Sequence, residues 1–193
     1  MKIKKVNIEN YKCFKSFTLD FNDGVNIIVG DNEAGKSTIL EAINLALSGL
    51  LNGRYLRNEL TQYIFNHDIE KEYLESLNPS NAIKPLPPPH ILIEVFFEGE
   101  NLPEMEGDGN STEKKNSGVT FKVEFDLTYQ PEYEELIKSE VATIPIEFYK
   151  VSWISFARET LSGGNIPMKS VLIDSSSTRF QNGSDIYISK IIK

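Results

Sequence analysis

The chain has 193 residues, with 28 acidic against 20 basic side chains, for a net charge of −8. Its composition, 40% hydrophobic and 25% charged, is that of an ordinary globular protein, and a chain of this length buries roughly 70% of its unfolded surface without covalent staples. Cys13 is the sole cysteine and no run approaches the ~20 apolar residues of a membrane span, so an intramolecular disulfide, a thiolate metal cluster and a membrane span are excluded; His67 and His90, the only histidines, lie far apart in sequence, which speaks against a histidine-metal site.

In chain order, Met1–Lys5 alternates charge and aliphatic side chains with no apolar stretch behind it, which excludes a secretory signal and makes the cytoplasm the expected location. Lys2, Lys4, Lys5, Lys12 and Lys15 crowd the first fifteen residues, but the net charge is the wrong sign for a main DNA contact. Ile3–Ile8 and Phe17–Phe21 read as strands, and Asn22-Asp23-Gly24 as a turn. Val25–Val29 is β-branched and nearly all apolar, the pattern of a buried central strand. The period then switches to that of a helix over Lys36–Leu47, with Gly49 as its stop.

Beyond it, Tyr55–Asn66 and Asp68–Leu77 are expected as short helices, and Pro79–Pro89 as a stiff connector. Ile91–Phe97 and Val119–Tyr129 are expected strands flanking a long polar stretch, 99–118, expected to be a flexible loop. Pro131 should open a helix through Glu140, Ile146–Ile154 and Ser170–Asp174 should be strands, and Ile186–Ile192 should start a helix. The expected architecture is an α/β layer with an inserted antiparallel β-hairpin.

One motif carries chemistry. Gly30-Asp31-Asn32-Glu33-Ala34-Gly35-Lys36-Ser37 fits G-x-x-x-x-G-K-[ST] in full, between an expected strand and an amphipathic helix. Gly30 and Gly35 let the backbone turn and close on phosphates. Amides from Glu33 to Thr38 would then point inward at the positive end of the helix. Lys36 would reach the β- and γ-phosphates, Ser37 would give Mg²⁺ a hard oxygen ligand, and Thr38 would contact the α-phosphate.

On these residues the chain resembles a known group. Ile3–Phe14 resembles the first strand and I-x-N-[FY]-[RK] segment of SMC/RecF-type ABC ATPases. Gly30–Thr38 resembles their G-x-N-x-x-G-K-S-[ST] loop, with Asn32 as their asparagine. Ile39-Leu40-Glu41-Ala42-Ile43 matches their next segment, two apolar residues and one variable position before Ala-Ile. Glu33 and Ala34 depart from the commoner Gly-Ser pair, at positions that contribute mainly amides. More narrowly, Gly30–Ile43 and Gly183–Ser189 look like the OLD-family ATP-dependent endonucleases. The resemblance implies a P-loop NTPase lobe of ABC-ATPase type over residues 1–193, cut from a longer protein that binds ATP and Mg²⁺ and homodimerises around ATP. It also implies a C-terminal Toprim nuclease, and DNA contacts made by parts outside this chain. The alternative is the same lobe of a RecF/SMC-like DNA-repair ATPase without nuclease activity. Lys12 matches the group's basic residue near the nucleotide, against a plain solvated lysine. Gln181 is the candidate for the glutamine that touches Mg²⁺, against a plain turn residue.

Other family motifs are imperfect. Leu161-Ser162-Gly163-Gly164 spells a signature sequence, but Pro167 interrupts the helix it should open, so Arg158–Met168 is expected as a mobile loop. Val171–Asp174 resembles a Walker B strand, yet Ser175 stands where the catalytic glutamate belongs. Against a complete small P-loop kinase or GTPase stand the missing Asn/Thr-Lys-x-Asp motif of GTPases and the expected antiparallel hairpin after the first helix.

Overall fold

Val6 and Ile8 alternate to one side of β1 (Lys2–Tyr11) and are fully buried. Asn10, in the left-handed region at φ 55°, breaks that alternation, and Tyr11 ends buried in its place. The computed structural model describes residues 1–78, 84–99, 102–139, 141–162 and 166–173. The remaining elements are β2 (Phe14–Asp20), α1 (Lys36–Ser48), β3 (Leu50–Leu51), β4 (Arg54–Tyr55), α2 (His67–Leu77), β5 (Ile91–Glu98), β6 (Glu106–Gly107), β7 (Asn116–Phe125), α3 (Gln130–Leu136) and β8 (Tyr149–Ser155).

Six strands form one sheet in the order β2-β1-β5-β7-β6, with β8 also paired to β7. Each pairing is antiparallel, with Val6 opposite Leu19 and Val95, and Val95 opposite Val119. The β5–β7 hairpin pairs directly with β1 and so extends the N-terminal sheet. One face of the sheet receives α1, whose buried stripe is Ile39, Ala42, Ile43, Leu45, Ala46 and Leu47. Gly49, at φ 70°, closes the helix by donating its N–H to the Leu45 carbonyl.

Several expectations are corrected. Val25–Val29 is not a buried strand. After Phe21 the chain leaves the sheet, and the Asn26 side chain bonds back to Asn22 and Gly24, closing a turn. No described strand lies beside Val25–Val29, and Val25, Ile27 and Val29 are 82–88% exposed. A strand is a property of a pair, and apolar composition alone does not supply the neighbour. Tyr55–Asn66 is not an α-helix either; it contains two 3₁₀ turns, at Leu56–Asn58 and Gln62–Ile64.

The segment 99–118 carries more structure than its composition suggests. Met105 and Asn110 are buried, and Asn110 ties to the Gly107 and Lys114 carbonyls. Ser111 donates its N–H (2.7 Å) and its hydroxyl to the buried carboxylate of Glu94. A carboxylate only 1% exposed needs such donors, and they hold the segment across the outer face of the sheet. β7 begins inside this segment and stops at Phe125, α3 is shorter than expected, and Ile146–Phe148 is a 3₁₀ turn ahead of β8. Ser170–Ile173 forms no strand. Leu161 and Ile166 are buried, and Leu161 donates its N–H to the Trp153 carbonyl, so this part of the expected mobile loop is packed. Ile166–Met168 is not helical, in keeping with Pro167; Gly163, Gly164, Asp174, Gln181 and Ile186–Ile192 lie outside the described residues. Among the described residues no helix is long and apolar enough to cross a membrane.

Candidate phosphate-binding loop

The N-terminus of α1 lies open. Gly35 caps it at φ 86° without a side-chain hydrogen bond, and no acidic residue occupies the first turn. The N–H groups of Lys36, Ser37 and Thr38 therefore have neither an intrahelical acceptor nor a capping side chain, at the positive end of a 13-residue helix. That is a donor set suited to a polyanion. Asp31, Asn32, Glu33, Ala34 and Ser37 are exposed, with Gly35, Lys36 and Thr38 half-buried behind them.

Inside the loop, Lys36 folds back so that Nζ donates to the carbonyls of Gly30 (2.8 Å) and Asp31 (2.6 Å). The Ala34 N–H bonds the Asp31 carbonyl at 3.2 Å. The ammonium thus waits over the loop on two neutral acceptors that a phosphate oxygen would outcompete. Ser37 presents an exposed hydroxyl one residue on, a fit for one Mg²⁺ ligand whose other positions go to phosphate and water. Among the described residues no group of three or more His, Cys, Asp or Glu could hold a metal by itself.

Gly35 is required twice. Its left-handed backbone disfavours any side chain, and a Cβ there would lie 2.5 Å from Phe14 Cζ and 2.7 Å from Cys13 Sγ. The turn between β1 and β2 therefore forms the wall behind the loop. Glu33 holds φ 69° without being glycine. The commoner glycine at this position in the family pattern thus has a conformational reason, beyond the amide it contributes. Glu33→Gly should raise stability by about 0.5 kcal/mol, the relief of left-handed strain less the added chain entropy. Thermal melts of the two forms check it; a lower midpoint for the glycine form contradicts it.

Lys12 lies beside α1. Its Nζ is 2.5 Å from Glu41 Oε1, the same oxygen that accepts the Tyr11 hydroxyl at 2.6 Å. Burial, and then the Glu41 charge, push the Tyr11 phenol well above its usual range, so it stays a donor. Asn66 sets this corner. Its side chain donates to the Lys12 carbonyl (2.8 Å) and its Oδ1 caps α2, while the Lys12 N–H reaches the Ile64 carbonyl. Glu41, one helical turn after Ser37, is the residue that the sequence did not single out. Its role depends on β1 lying beside α1, which no local pattern encodes. Asp174 and Gln181 fall outside the described residues, so neither is placed against the loop.

Comparison with known proteins gives one family match covering most of the chain. A family model described as an AAA domain (AAA_23) matches residues 5–182. The chain is 51% identical over 45 residues to a DNA double-strand break repair Rad50 ATPase of Methanopyrus kandleri, covering 23% of this chain and 5% of that protein. It is 38% identical over 71 residues to the DNA replication and repair protein RecF of Shewanella frigidimarina, covering 37% and 19%. It is 37% identical over 73 residues to the Retron Ec83 probable ATPase of Escherichia coli, covering 37% and 14%. The matches thus span less than a fifth of these relatives. A solved structure from work on ATP-driven dimerization and DNA-stimulated activation of SMC ATPases aligns with a TM-score of 0.34 and 19% identity, over 63% of this chain and 61% of that one.

Proposed function

The chain belongs to the AAA domain family, and from that premise we propose that it is a nucleotide-binding lobe of an ABC-type ATPase, taking Mg-ATP at residues 30–38. The observation that carries the proposal is the uncapped N-terminus of α1 behind a G-x-x-x-x-G-K-S loop whose lysine rests on exchangeable carbonyls. Gly30, Asn32, Glu33, Ala34 and Gly35 shape the cradle. Lys36 neutralises the β- and γ-phosphates, Ser37 ligates Mg²⁺, and Thr38 meets the α-phosphate. Lys12, paired with Glu41 of α1 in the free chain, is the second cation of the site once it leaves that carboxylate for the nucleotide, and Gln181 a further contact to Mg²⁺. Bound Mg²⁺ supplies charge neutralisation at the phosphates. Calorimetric titration tests the binding: saturable one-to-one uptake of Mg-ATP supports it, and absence of saturable heat overturns it.

The exposed alternation of Val25, Ile27 and Val29 beside the loop supports reading the chain as one lobe of a larger head, since that apolar edge suits further strands. Hydrolysis by this chain alone should be negligible. Ser175 stands where the catalytic glutamate belongs, and among the described residues no strand ends in an acidic pair beside the loop to orient the water. A steady-state phosphate-release assay checks this; robust turnover lost in Lys36→Ala would contradict it and give Asp174 a Walker B role.

The whole protein is proposed to be cytoplasmic and to homodimerise around ATP. The Rad50 and RecF relatives support a DNA-repair ATPase, the alternative in which the protein carries no nuclease. The Gly30–Ile43 and Gly183–Ser189 resemblance supports the OLD-family endonuclease, and a Toprim Glu and Asp-x-Asp set elsewhere in the same protein would select it. Duplex contacts are assigned to parts outside this chain. The amino-terminal lysines are largely neutralised here: Lys2 pairs with Asp23 and Glu98, Lys12 with Glu41, and Lys15 with Glu72. Duplex binding by this chain should therefore be weak and lost as salt rises. A gel-shift complex surviving physiological salt would refute that.

A further inference from the structure

A cavity of about 400 Å³ opens at the far end of α1 from the phosphate-binding loop. The helix between them is 13 residues long, about 20 Å, so the two places are separate. Buried Phe121 and Leu161 and half-buried Trp153 line the interior, and exposed Tyr55, Arg57 and Asn58 stand at the mouth.

The interior is aromatic. Trp153 donates its indole N–H to the Ala46 carbonyl at 2.8 Å and meets Phe121 edge-on at 6.4 Å. With its polar atom engaged, the indole offers the cavity only ring surface. Gly49 keeps the space open: a Cβ there would lie 3.2 Å from Trp153 Cζ3. The mouth is polar and cationic. Arg54, on the same short hairpin, is paired with Glu59, whereas Arg57 has no ion pair among the described residues. In a chain of net charge −8, an uncommitted guanidinium over an aromatic cavity suits a ligand that is planar at one end and anionic at the other. Asn58 adds a side-chain amide able to meet the edge of a base.

We propose that this cavity is a second nucleotide site, in which a base inserts against Trp153 and Tyr55 while Arg57 holds its phosphate and Asn58 meets the base edge. The site has room for one base and not for a duplex. Its ligand chemistry is that of a free mononucleotide or of one unpaired nucleotide in a single strand. It is independent of the loop at 30–38, and either can fail without the other.

Trp153 is the only tryptophan, so its fluorescence reports the cavity directly. The Lys36→Ala chain, with the phosphate loop disabled, is titrated with dTMP and with a short oligothymidylate. Saturable quenching is expected, weakened at least about tenfold by Arg57→Ala and by Tyr55→Ala, both exposed positions whose loss leaves the core intact. Equal affinity for the two ligands assigns the site to free nucleotides; tighter binding of the oligothymidylate assigns it to single strands. No quenching by either, or quenching indifferent to Arg57→Ala, overturns the proposal.

Discussion

Lys36→Ala should weaken Mg-ATP binding by roughly 10- to 150-fold, the equivalent of losing charge-assisted bonds worth about 1.5–3 kcal/mol. In the free chain Nζ sits on the Gly30 and Asp31 carbonyls, and among the described residues no ion pair holds it there. Those contacts are to neutral acceptors at an exposed loop, so folding stability should hardly change. The two readouts separate binding from folding: calorimetry should show the loss of affinity, and thermal melts should superimpose. Equal affinities would remove the lysine from the site. A large drop in midpoint would make it a structural residue instead.

Gly35→Ala should damage both properties. The left-handed backbone costs a side chain about 1–2 kcal/mol, and forcing a methyl against Phe14 and Cys13 costs a further ~1–3 kcal/mol. Phe14 cannot retreat freely, because its ring is stacked on Phe17 at 4.5 Å. The loop would move off the β1–β2 turn and the first amides of α1 would lose their aim. At roughly 2–4 °C per kcal/mol for a chain of this size, a midpoint fall of about 4–20 °C is expected, together with loss of measurable Mg-ATP binding. Wild-type melting and affinity in Gly35→Ala would mean that the wall behind the loop is not as described.

What could be read in the sequence was local. The phosphate loop and α1 follow from glycine spacing, a lysine and a 3.6-residue apolar period, all within twenty residues. β1, β5 and α2 likewise announce themselves by the pattern of their apolar residues. Val25–Val29 misleads because its composition suits a strand while strand formation depends on a neighbour. The 99–118 segment misleads in the other direction: its polar residues look solvated, yet Asn110 and Ser111 are spent on loop carbonyls and on Glu94. Neither Glu41 beside Lys12, nor Cys13 and Phe14 behind Gly35, leaves a trace in sequence spacing, because each contact joins α1 and its loop to the β1–β2 turn, brought together only when α1 packs on the sheet.

The most direct measurement of the central claim is amide chemical-shift mapping of the isotopically labelled chain on addition of Mg-ATP. A triphosphate cradled at the open end of α1 perturbs the amides of Gly30 to Thr38 most strongly, with Lys12 and Glu41 next, and the same perturbations vanish in Lys36→Ala. Saturating Mg-ATP that leaves the amides of residues 30–38 unshifted would contradict the account.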